Sequence, residues 1–471
     1  MIAEQQAPPA TLTYGQEVWR HLRRNKLAMV GALVIAVVVL VSILCPLLAN
    51  QRPLYIKAVL VSEYANAAAV LVEQINAGVP PEALRERFRD VAEHLDADDL
   101  RTLDALQRSV EATSGNSDAV KALATNAIVF QNASPVAVVR FPAFRALTLV
   151  DTWLLWLLLG SCLLPLLSGF SMRFASRLIV LVFFATVATL LCKLVYPTIK
   201  DATPYRRIIS QASFSGNAVR TIVPYGENEN IISEARMAPS WAAKSAARNW
   251  HLYGTDTNGR DVLARMIYGA RVSMFIGIFS VTFYTIIGVV LGAVAGYFQG
   301  LVDIGLSRLI EVFICFPGLI VLLAIQVFLP QSLFNIVLGI AILMWTGVAR
   351  LQRAEFLRLV NMDFVQSVRA LGGSNLRIIF LHILPNGMGP ILVMVSFGIA
   401  NSIVLESSLS YLGFGVPQPM ASWGDLLHNG ANDIIGLWWL TLFPGLAIFI
   451  TVTCFNLLGE GVRDALDPRR S

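Results

Sequence analysis

The segment between Asn361 and Pro385 holds the residues best suited to binding chemistry. It reads NMDFVQSVRALGGSNLRIIFLHILP and places acidic, basic and turn-forming residues between two long apolar runs. Charges and turn residues would leave polar groups unsatisfied in hydrocarbon, so we expect a structured loop at a membrane surface. A polar loop in that position predicts a docking site for something outside the membrane.

Local signals predict two short helices in this loop. Asp363 and Gln366 have the spacing of a capping box, and the pair of glycines that follows suits a chain reversal. Ser374 or Asn375 can cap the second helix, which we expect to end at Pro385. The candidate docking residues are Asp363, Gln366, Ser367, Val368, Arg369, Ala370, Leu371, Gly372 and Gly373.

A second candidate lies at the outer end of an apolar run. An ionisable group at membrane depth either lines a polar path or fixes a pair of helices. The neighbouring serine and glycine residues are typical of close helix packing, so we favour a structural role. The residues concerned are Glu406, Ser408 and Ser410.

Catalytic motifs are absent from the sequence. It contains no G-x-x-x-x-G-K-[ST] phosphate loop, no H-E-x-x-H and no G-x-S-x-G. The five cysteines all fall in apolar runs, which argues against disulfides, C-x-x-C metal sites and a thiol nucleophile. We therefore expect no enzyme activity, no bound cofactor or metal, and no nucleic-acid partner.

Composition identifies the class of protein that must position these residues. Hydrophobic residues make up 56% and charged residues 14% of the 471-residue chain, and the mean hydropathy is +0.63. Because soluble domains carry roughly 25% charged residues, this composition predicts an integral membrane protein. The length of its apolar stretches predicts that the protein is all-α. Eight charge-poor stretches approach the ~20 residues that a spanning helix needs: 28–48, 152–170, 178–196, 272–296, 309–329, 333–349, 388–405 and 434–458.

Basic residues predict the orientation of these spans. Five of them crowd at positions 20–26, just before the first span, so the positive-inside rule places the N-terminus in the cytoplasm. An even number of spans returns the C-terminus to the same side. Arg260, Arg265 and Arg271 disagree, because this topology places them on the outer face.

The spans divide the chain into six regions. We predict a cytoplasmic N-terminus with the first span (1–50), a mainly helical extracytoplasmic insertion (51–147), an extra membrane hairpin (148–196), an extracytoplasmic loop region ending in GTDTNGRD (197–270), a membrane domain containing the loop 361–385 (271–460), and a cytoplasmic tail (461–471). The insertion carries no motif of its own.

Several motifs in collinear order resemble one family. They are HLYGTDTNGRDVLARMIYGARVSMFIGIF from His251, GYFQGLVD from Gly296, FPGL from Phe316, ESSLSYLGFGVPQPMASWGDLL from Glu406 and FPGLAIFITVTCFNLLGEGVRDALDPR from Phe443. Together with the loop, they resemble the C-type permease subunit of bacterial dipeptide, oligopeptide and nickel ABC importers. The resemblance covers almost half of the chain.

The resemblance implies a type I (MetI-like) importer fold in the bacterial inner membrane. The loop 361–385 corresponds to the family's EAA loop, which seats on a cytoplasmic ATPase. Implied partners are a homologous second permease, two ABC ATPase subunits that use ATP and Mg, an extracytoplasmic substrate-binding protein, and membrane lipid. Peptides are the leading substrate class, with nickel chelates and glycosides as alternatives.

Two features depart from the family pattern. The Glu-Ala-Ala triplet is replaced by Gln366, Ser367 and Val368, which removes a carboxylate that could contact the ATPase. The insertion and the added hairpin separate the first span from the rest. The missing triplet is the one feature that favours the alternative hypothesis, a membrane sensor or scaffold with a degenerate permease half.

Overall fold

The computed structural model describes residues 20–50, 52, 54–59, 137–145, 147–163, 174–195, 216–219, 221–223, 225, 234–242 and 250–466. The chain divides into two compact units. The larger comprises residues 1–45 and 226–471, and the smaller comprises residues 46–225.

A small antiparallel sheet joins distant parts of the smaller unit. Its strand order is β2-β1-β3, with β1 (Tyr55–Val59) between β2 (Ala137–Arg140) and β3 (Gly216–Val219). Ile56 lies opposite Arg140 on one side and opposite Ala218 on the other. We did not predict these strands. The helices predicted within 51–147 lie outside the described residues.

Two apolar helices form a hairpin in the smaller unit. Trp153 donates from Nε1 to Thr186 Oγ1 over 3.2 Å across the pair, and Lys193 Nζ donates to the Leu147 carbonyl over 2.5 Å. The Lys193 charge is thus satisfied at the end of the hairpin, as an amphipathic side chain near a helix end requires. The helices of this unit are α2 (Pro142–Arg145), α3 (Leu149–Leu163) and α4 (Phe174–Val195).

The regular elements of the larger unit are helices, apart from an isolated bridge between Thr255 and Asp261, within its described residues. Helix α1 begins in it and ends just beyond its boundary. Its elements are α1 (Lys26–Leu48), α5 (Val262–Phe298), α6 (Gly300–Ile314), α7 (Gly318–Phe328), α8 (Leu333–Leu359), α9 (Asp363–Ala370), α10 (Asn375–Tyr411, including a π-helical stretch Ile378–Ile383), α11 (Trp423–Ala431) and α12 (Trp438–Leu466).

The helical membrane class is confirmed. Five described helices, α1, α5, α8, α10 and α12, are long and apolar enough to span a bilayer, and α6 with α7 adds a sixth if the bent pair is one span. The predicted spans 152–170 and 178–196 fall on the shorter apolar helices α3 and α4. The predicted number of eight is therefore not confirmed.

The predicted span 309–329 is wrong as a single straight helix. Helices α6 and α7 meet at a 79° bend. Pro317, immediately before α7, has no backbone N–H and disfavours the helical conformation at Phe316. The FPGL motif therefore breaks the span near its middle.

Helices α5 and α8 form the centre of the larger unit. Gly288, Gly292 and Gly296 recur at every fourth position of α5, where an added Cβ would clash with the backbone or side chains of α8. Small residues at this spacing let two helix backbones approach closely in a membrane. Trp345 and Val348 of α8 complete the buried packing.

Candidate functional site

Helix α9 forms the centre of the predicted docking loop, but the predicted capping box is wrong. The helix begins at Asp363, and its N-cap residue is Met362, which makes no side-chain capping bond. Gln366 instead donates from Nε2 to the Val360 carbonyl over 3.1 Å. The first turn of α9 is thus tied to the end of α8 by Gln366.

A glycine turn ends α9, as predicted. Gly372 has a φ of +78°, in the left-handed region. Its N–H donates to the Arg369 carbonyl and the Gly373 N–H donates to the Val368 carbonyl, each over 3.0 Å. This is the Schellman pattern, which satisfies carbonyls that a helix end would otherwise leave unpaired.

One buried residue anchors α9 to three spans. Val365 is fully buried. Burial of a valine side chain contributes about 1.5–3 kcal/mol. Val365 was not among the docking residues predicted from the sequence, where nothing distinguishes it from the apolar Phe364 and Val368 of the same helix. Its cluster draws on α5, α8 and α10 and contains Ala293, Tyr297, Phe356, Leu359, Val360, Ile378, Ile379 and Ile383.

Tyr297 of α5 ties both ends of the glycine turn to the membrane helices. Its hydroxyl donates to Asn375 Oδ1 over 2.7 Å, and the Arg369 guanidinium lies 5.8 Å from the centre of its ring. A cation at that distance is attracted to the ring face. Ser374 occupies the N-cap position of α10 without a side-chain bond, so neither predicted cap forms one.

The prediction that the second helix ends at Pro385 is wrong. Helix α10 continues from Asn375 to Tyr411. A π-helical stretch, Ile378–Ile383, directly precedes the proline, and Leu384 N–H donates to the Ile379 carbonyl five residues back. The wider turn accommodates a residue that lacks an N–H, so the loop continues rigidly into the span.

The predicted docking residues lie together on the surface. Val368 is partly buried, and the other predicted residues that carry side chains are exposed. Apolar side chains are prominent among the exposed groups of this loop: Met362, Phe364, Leu371 and Leu376 are 41%, 40%, 87% and 69% exposed. Loop 361–377 thus presents an apolar surface on a rigid base, which is typical of a protein contact.

The second candidate set is only partly brought together. Glu406 is fully buried. It accepts hydrogen bonds from Ser410 over 2.8 Å and from Ser273 of α5 over 3.0 Å. Ser408 instead donates to the Val404 carbonyl of its own helix. These contacts support the helix-packing interpretation. Ser273 was not predicted from the sequence, because it is one of several small polar residues in an apolar span.

Arg260 and Asp261 are neighbours in the GTDTNGRD segment, but they do not pair with each other. Arg260 pairs with Asp256 over 2.6 Å. Asp261 caps α5 by accepting from the Ala264 N–H over 2.8 Å, and its other oxygen lies 2.7 Å from His251 Nδ1. Asp256 and Asp261 therefore both bind groups that lie close to them in the chain.

Arg265 is the largest fully buried side chain among the described residues, and no role was predicted for it from the sequence beyond its conflict with the predicted orientation. Its Nη2 lies 2.8 Å from Asp425 Oδ2 of α11, while Gln418 bridges Asp425 and Arg260. Arg260 and Arg265 are thus neutralised inside the fold. This accounts for much of their conflict with the positive-inside rule, because the rule is about charges left in flanking loops.

His251 bridges two carboxylates in the same segment. Burial would lower the pKa of His251, but the hydrogen bonds and charges of Asp261 and Glu234 outweigh burial and raise that pKa. Nδ1 faces Asp261 at 2.7 Å and Nε2 faces Glu234 at 2.9 Å. Within the described ranges, no group of three His, Cys, Asp or Glu side chains is arranged to hold a metal ion.

A cavity of about 490 Å³ lies where the bend of α6 and α7 meets α5, α8 and α10. Its walls are mostly apolar, with Thr346, Arg350 and Asn401 as polar groups besides Tyr284. The sequence analysis assigned no role to these residues.

The fold is that of a polytopic helical membrane protein whose loop 361–377 is anchored to the membrane helices. Residues 288–471 match the family described as "Binding-protein-dependent transport system inner membrane component", and residues 13–63 match the "N-terminal TM domain of oligopeptide transport permease C". The chain belongs to this family. It is a permease subunit of a transport system and not itself an enzyme.

Curated relatives agree with the family. The "Dipeptide transport system permease protein DppC" of Alkalihalophilus pseudofirmus is 40% identical over 219 residues, covering 46% of this chain and 72% of the relative. The "Glutathione transport system permease protein GsiD" of Pectobacterium atrosepticum is 40% identical over 46% of this chain and 73% of its own. DppC of Bacillus subtilis is 40% identical over 52% of this chain and 75% of its own.

Proposed function

We propose that this chain is one of two permease subunits of a peptide-importing ABC transporter. It forms half of the translocation path with a homologous second permease. Two cytoplasmic ATPase subunits bind the ATP and Mg; one of them docks on loop 361–377 of this chain and the other on the corresponding loop of the second permease. A substrate-binding protein delivers peptides on the outer face, and both termini of this chain are cytoplasmic.

The main support for the proposal is that α9 is exposed on one side and buried on the other. Its apolar surface is exposed, while Val365 fixes it to three membrane helices at once. An ATPase that moves this surface therefore moves α5, α8 and α10 with it. ATP can shift the transporter between inward-open and outward-open states only if the loop contacts the ATPase differently in the two states.

Gln366 compensates in part for the missing Glu-Ala-Ala triplet. Because its side chain binds the Val360 carbonyl, the triplet position stabilises the loop from within. The apolar residues beside it then supply the contact with the ATPase. Docking that buries apolar surface does not require a carboxylate at this position.

Peptides are the proposed substrate class because the relatives above are named for dipeptide and glutathione transport. Nickel chelates and glycosides are the alternatives. They are separated by uptake measurements with each class, made in cells that carry the complete transporter.

The docking surface is tested by co-purification from membranes of cells that express all subunits. Leu371→Asp places a charge on a side chain that is 87% exposed, and we expect it to abolish recovery of the ATPase subunits. Ile435→Asp is the matched control, because Ile435 is 91% exposed and lies on the opposite, outer side in the proposed topology.

Two outcomes would contradict the proposal. Equal recovery of ATPase subunits with Leu371→Asp and the unaltered chain would remove the docking role from the loop. Failure of the unaltered chain to bring down any ATPase would favour the sensor or scaffold hypothesis instead.

A further inference from the structure

We propose that the cavity between α8 and α10 binds the transported molecule, with Arg350 holding its carboxylate. The inference rests on the proposed function and adds to it a binding residue and the chemical group that this residue recognises. A molecule with a free carboxylate at one end and a variable, mainly apolar body fits the cavity.

Size and position suit a ligand. The volume of about 490 Å³ lies within the roughly 300–1,000 Å³ of small-molecule sites. The bend between α6 and α7 places Phe313 and Phe316 on its wall. A broken helix in a membrane is tolerated where it is buried in protein or lines a cavity.

Helix α8 presents one face to the cavity. Four of its five lining residues, Leu343, Thr346, Gly347 and Arg350, follow the i, i+3, i+4, i+7 spacing of a single helix face, and Met344 is the fifth. Gly347 leaves the space that Met394 of α10 occupies, since an added Cβ would lie 2.8 Å from the Met394 Cε.

Helix α10 repeats the same spacing from the other side. Its lining residues are Met394, Phe397, Gly398 and Asn401. Gly398 leaves space for the Tyr284 hydroxyl, which an added Cβ would overlap. Thioether and aromatic side chains that pack against glycines form an adaptable wall, which suits a substrate with variable side chains.

The two polar ends of the cavity differ in chemistry. Gly347 approaches Met394, and Gln352 lies beside Gly387, so the residue numbers of α8 and α10 run in opposite directions along the cavity. Arg350 therefore lies toward one end and Asn401 toward the other. A guanidinium can hold a carboxylate with two parallel hydrogen bonds, and the Asn401 carbonyl can accept from an ammonium or amide group.

Arg350 is available for this role. It is the one formally charged residue among the described residues that line the cavity. Two nearby arginines of α8 each have an intramolecular carboxylate, Arg353 with Asp303 and Arg358 with Glu355. No carboxylate of a described residue lies within ion-pair distance of Arg350. Among the described residues its charge is thus without a carboxylate partner, which leaves it able to bind a ligand carboxylate.

The test compares uptake of one dipeptide as its free acid and as its C-terminal amide. The complete transporter is expressed in cells lacking other peptide uptake. In Arg350→Gln we expect uptake of the acid to fall about tenfold or more relative to the amide, since the charge-assisted contact is lost. Arg350→Lys, which keeps the charge, should recover part of the ratio. Because the same binding protein serves every variant, a change in the acid-to-amide ratio reports on the permease.

Arg358→Gln is the matched control, because it removes an arginine of the same helix that pairs with Glu355 and does not line the cavity. Its acid-to-amide ratio should equal that of the unaltered chain. An equal loss of acid and amide uptake in Arg350→Gln would overturn the inference, indicating a contact with the second permease instead. An unchanged ratio would overturn it as well. If the unaltered chain imports neither form, the proposed function fails, and this inference fails with it.

Discussion

The glycine turn after α9 provides the sharpest test of how the loop works. Gly372 has a φ of +78°, and an added Cβ there would meet no atom within 4 Å. Gly372→Val therefore introduces no clash with a neighbour. Its effect arises from the backbone alone, because a left-handed conformation brings the Cβ of an L-residue too close to a carbonyl oxygen.

The cost of this change follows from that geometry. A left-handed L-residue costs roughly 1–2 kcal/mol, and valine is at the upper end because its branched Cβ is stiff. A loss of 1–2 kcal/mol changes the ratio of closed to open turn by a factor of about 5–30. The Gly373 amide, whose hydrogen bond to the Val368 carbonyl closes the turn, should report the change directly.

Two assays measure the consequence. Hydrogen exchange at the Gly373 amide should accelerate by about 5–30-fold in Gly372→Val, since exchange follows the population of the open turn. Substrate-stimulated ATP hydrolysis by the reconstituted transporter should fall, because the docking surface loses its fixed position. Gly372→Asn should fall between valine and glycine, because asparagine tolerates the left-handed region.

Gly305→Val is the control for the added side chain. Gly305 also has no atom within 4 Å of an added Cβ, and it lies in helix α6 without a left-handed φ. ATP hydrolysis by a transporter that carries Gly305→Val should match that of the transporter with the unaltered chain. If Gly372→Val leaves both amide exchange and stimulated hydrolysis unchanged, the role assigned to the turn is refuted.

Three further predictions concern His251 with its two carboxylates, the packing of Glu406, and the orientation of the chain in the membrane. The pKa of His251 is raised in the folded protein, so protonated His251 stabilises the fold fully below the ordinary histidine pKa, and this stabilisation is lost as pH rises through the raised pKa. The melting temperature in detergent should therefore fall as pH rises over that window. His251→Gln should abolish this pH dependence of the melting temperature. Ser410→Ala removes a hydrogen bond to Glu406 and should lower stability by about 1 kcal/mol, whereas Ser408→Ala should not; equal melting temperatures would contradict the packing role. In a cysteine-free chain expressed without the ATPase subunits, a cysteine at exposed Ala242 should react with an impermeant thiol reagent from outside and one at Leu371 only after permeabilisation; the reverse pattern would invert the topology.

The sequence by itself determined the features that depend on local chemistry. Helices long enough to span are recognisable from length and apolarity, because a bilayer tolerates few alternatives to a closed helix. The reversal at Gly372 was predictable, since glycine is the residue that enters the left-handed region at little cost. Collinear motifs identified the family before any geometry was known.

Only the tertiary structure decided which groups meet. Arg265 binds Asp425, 160 residues away, and strand β1 pairs with segments about 80 and 160 residues further along the chain. No local pattern encodes such partners. Local rules also failed within the loop: Gln366 binds Val360, six residues back, instead of completing a capping box, and a π-helical stretch carries α10 through Pro385. In each case, packing against α5 and α8 fixes a conformation that local preference alone leaves undecided.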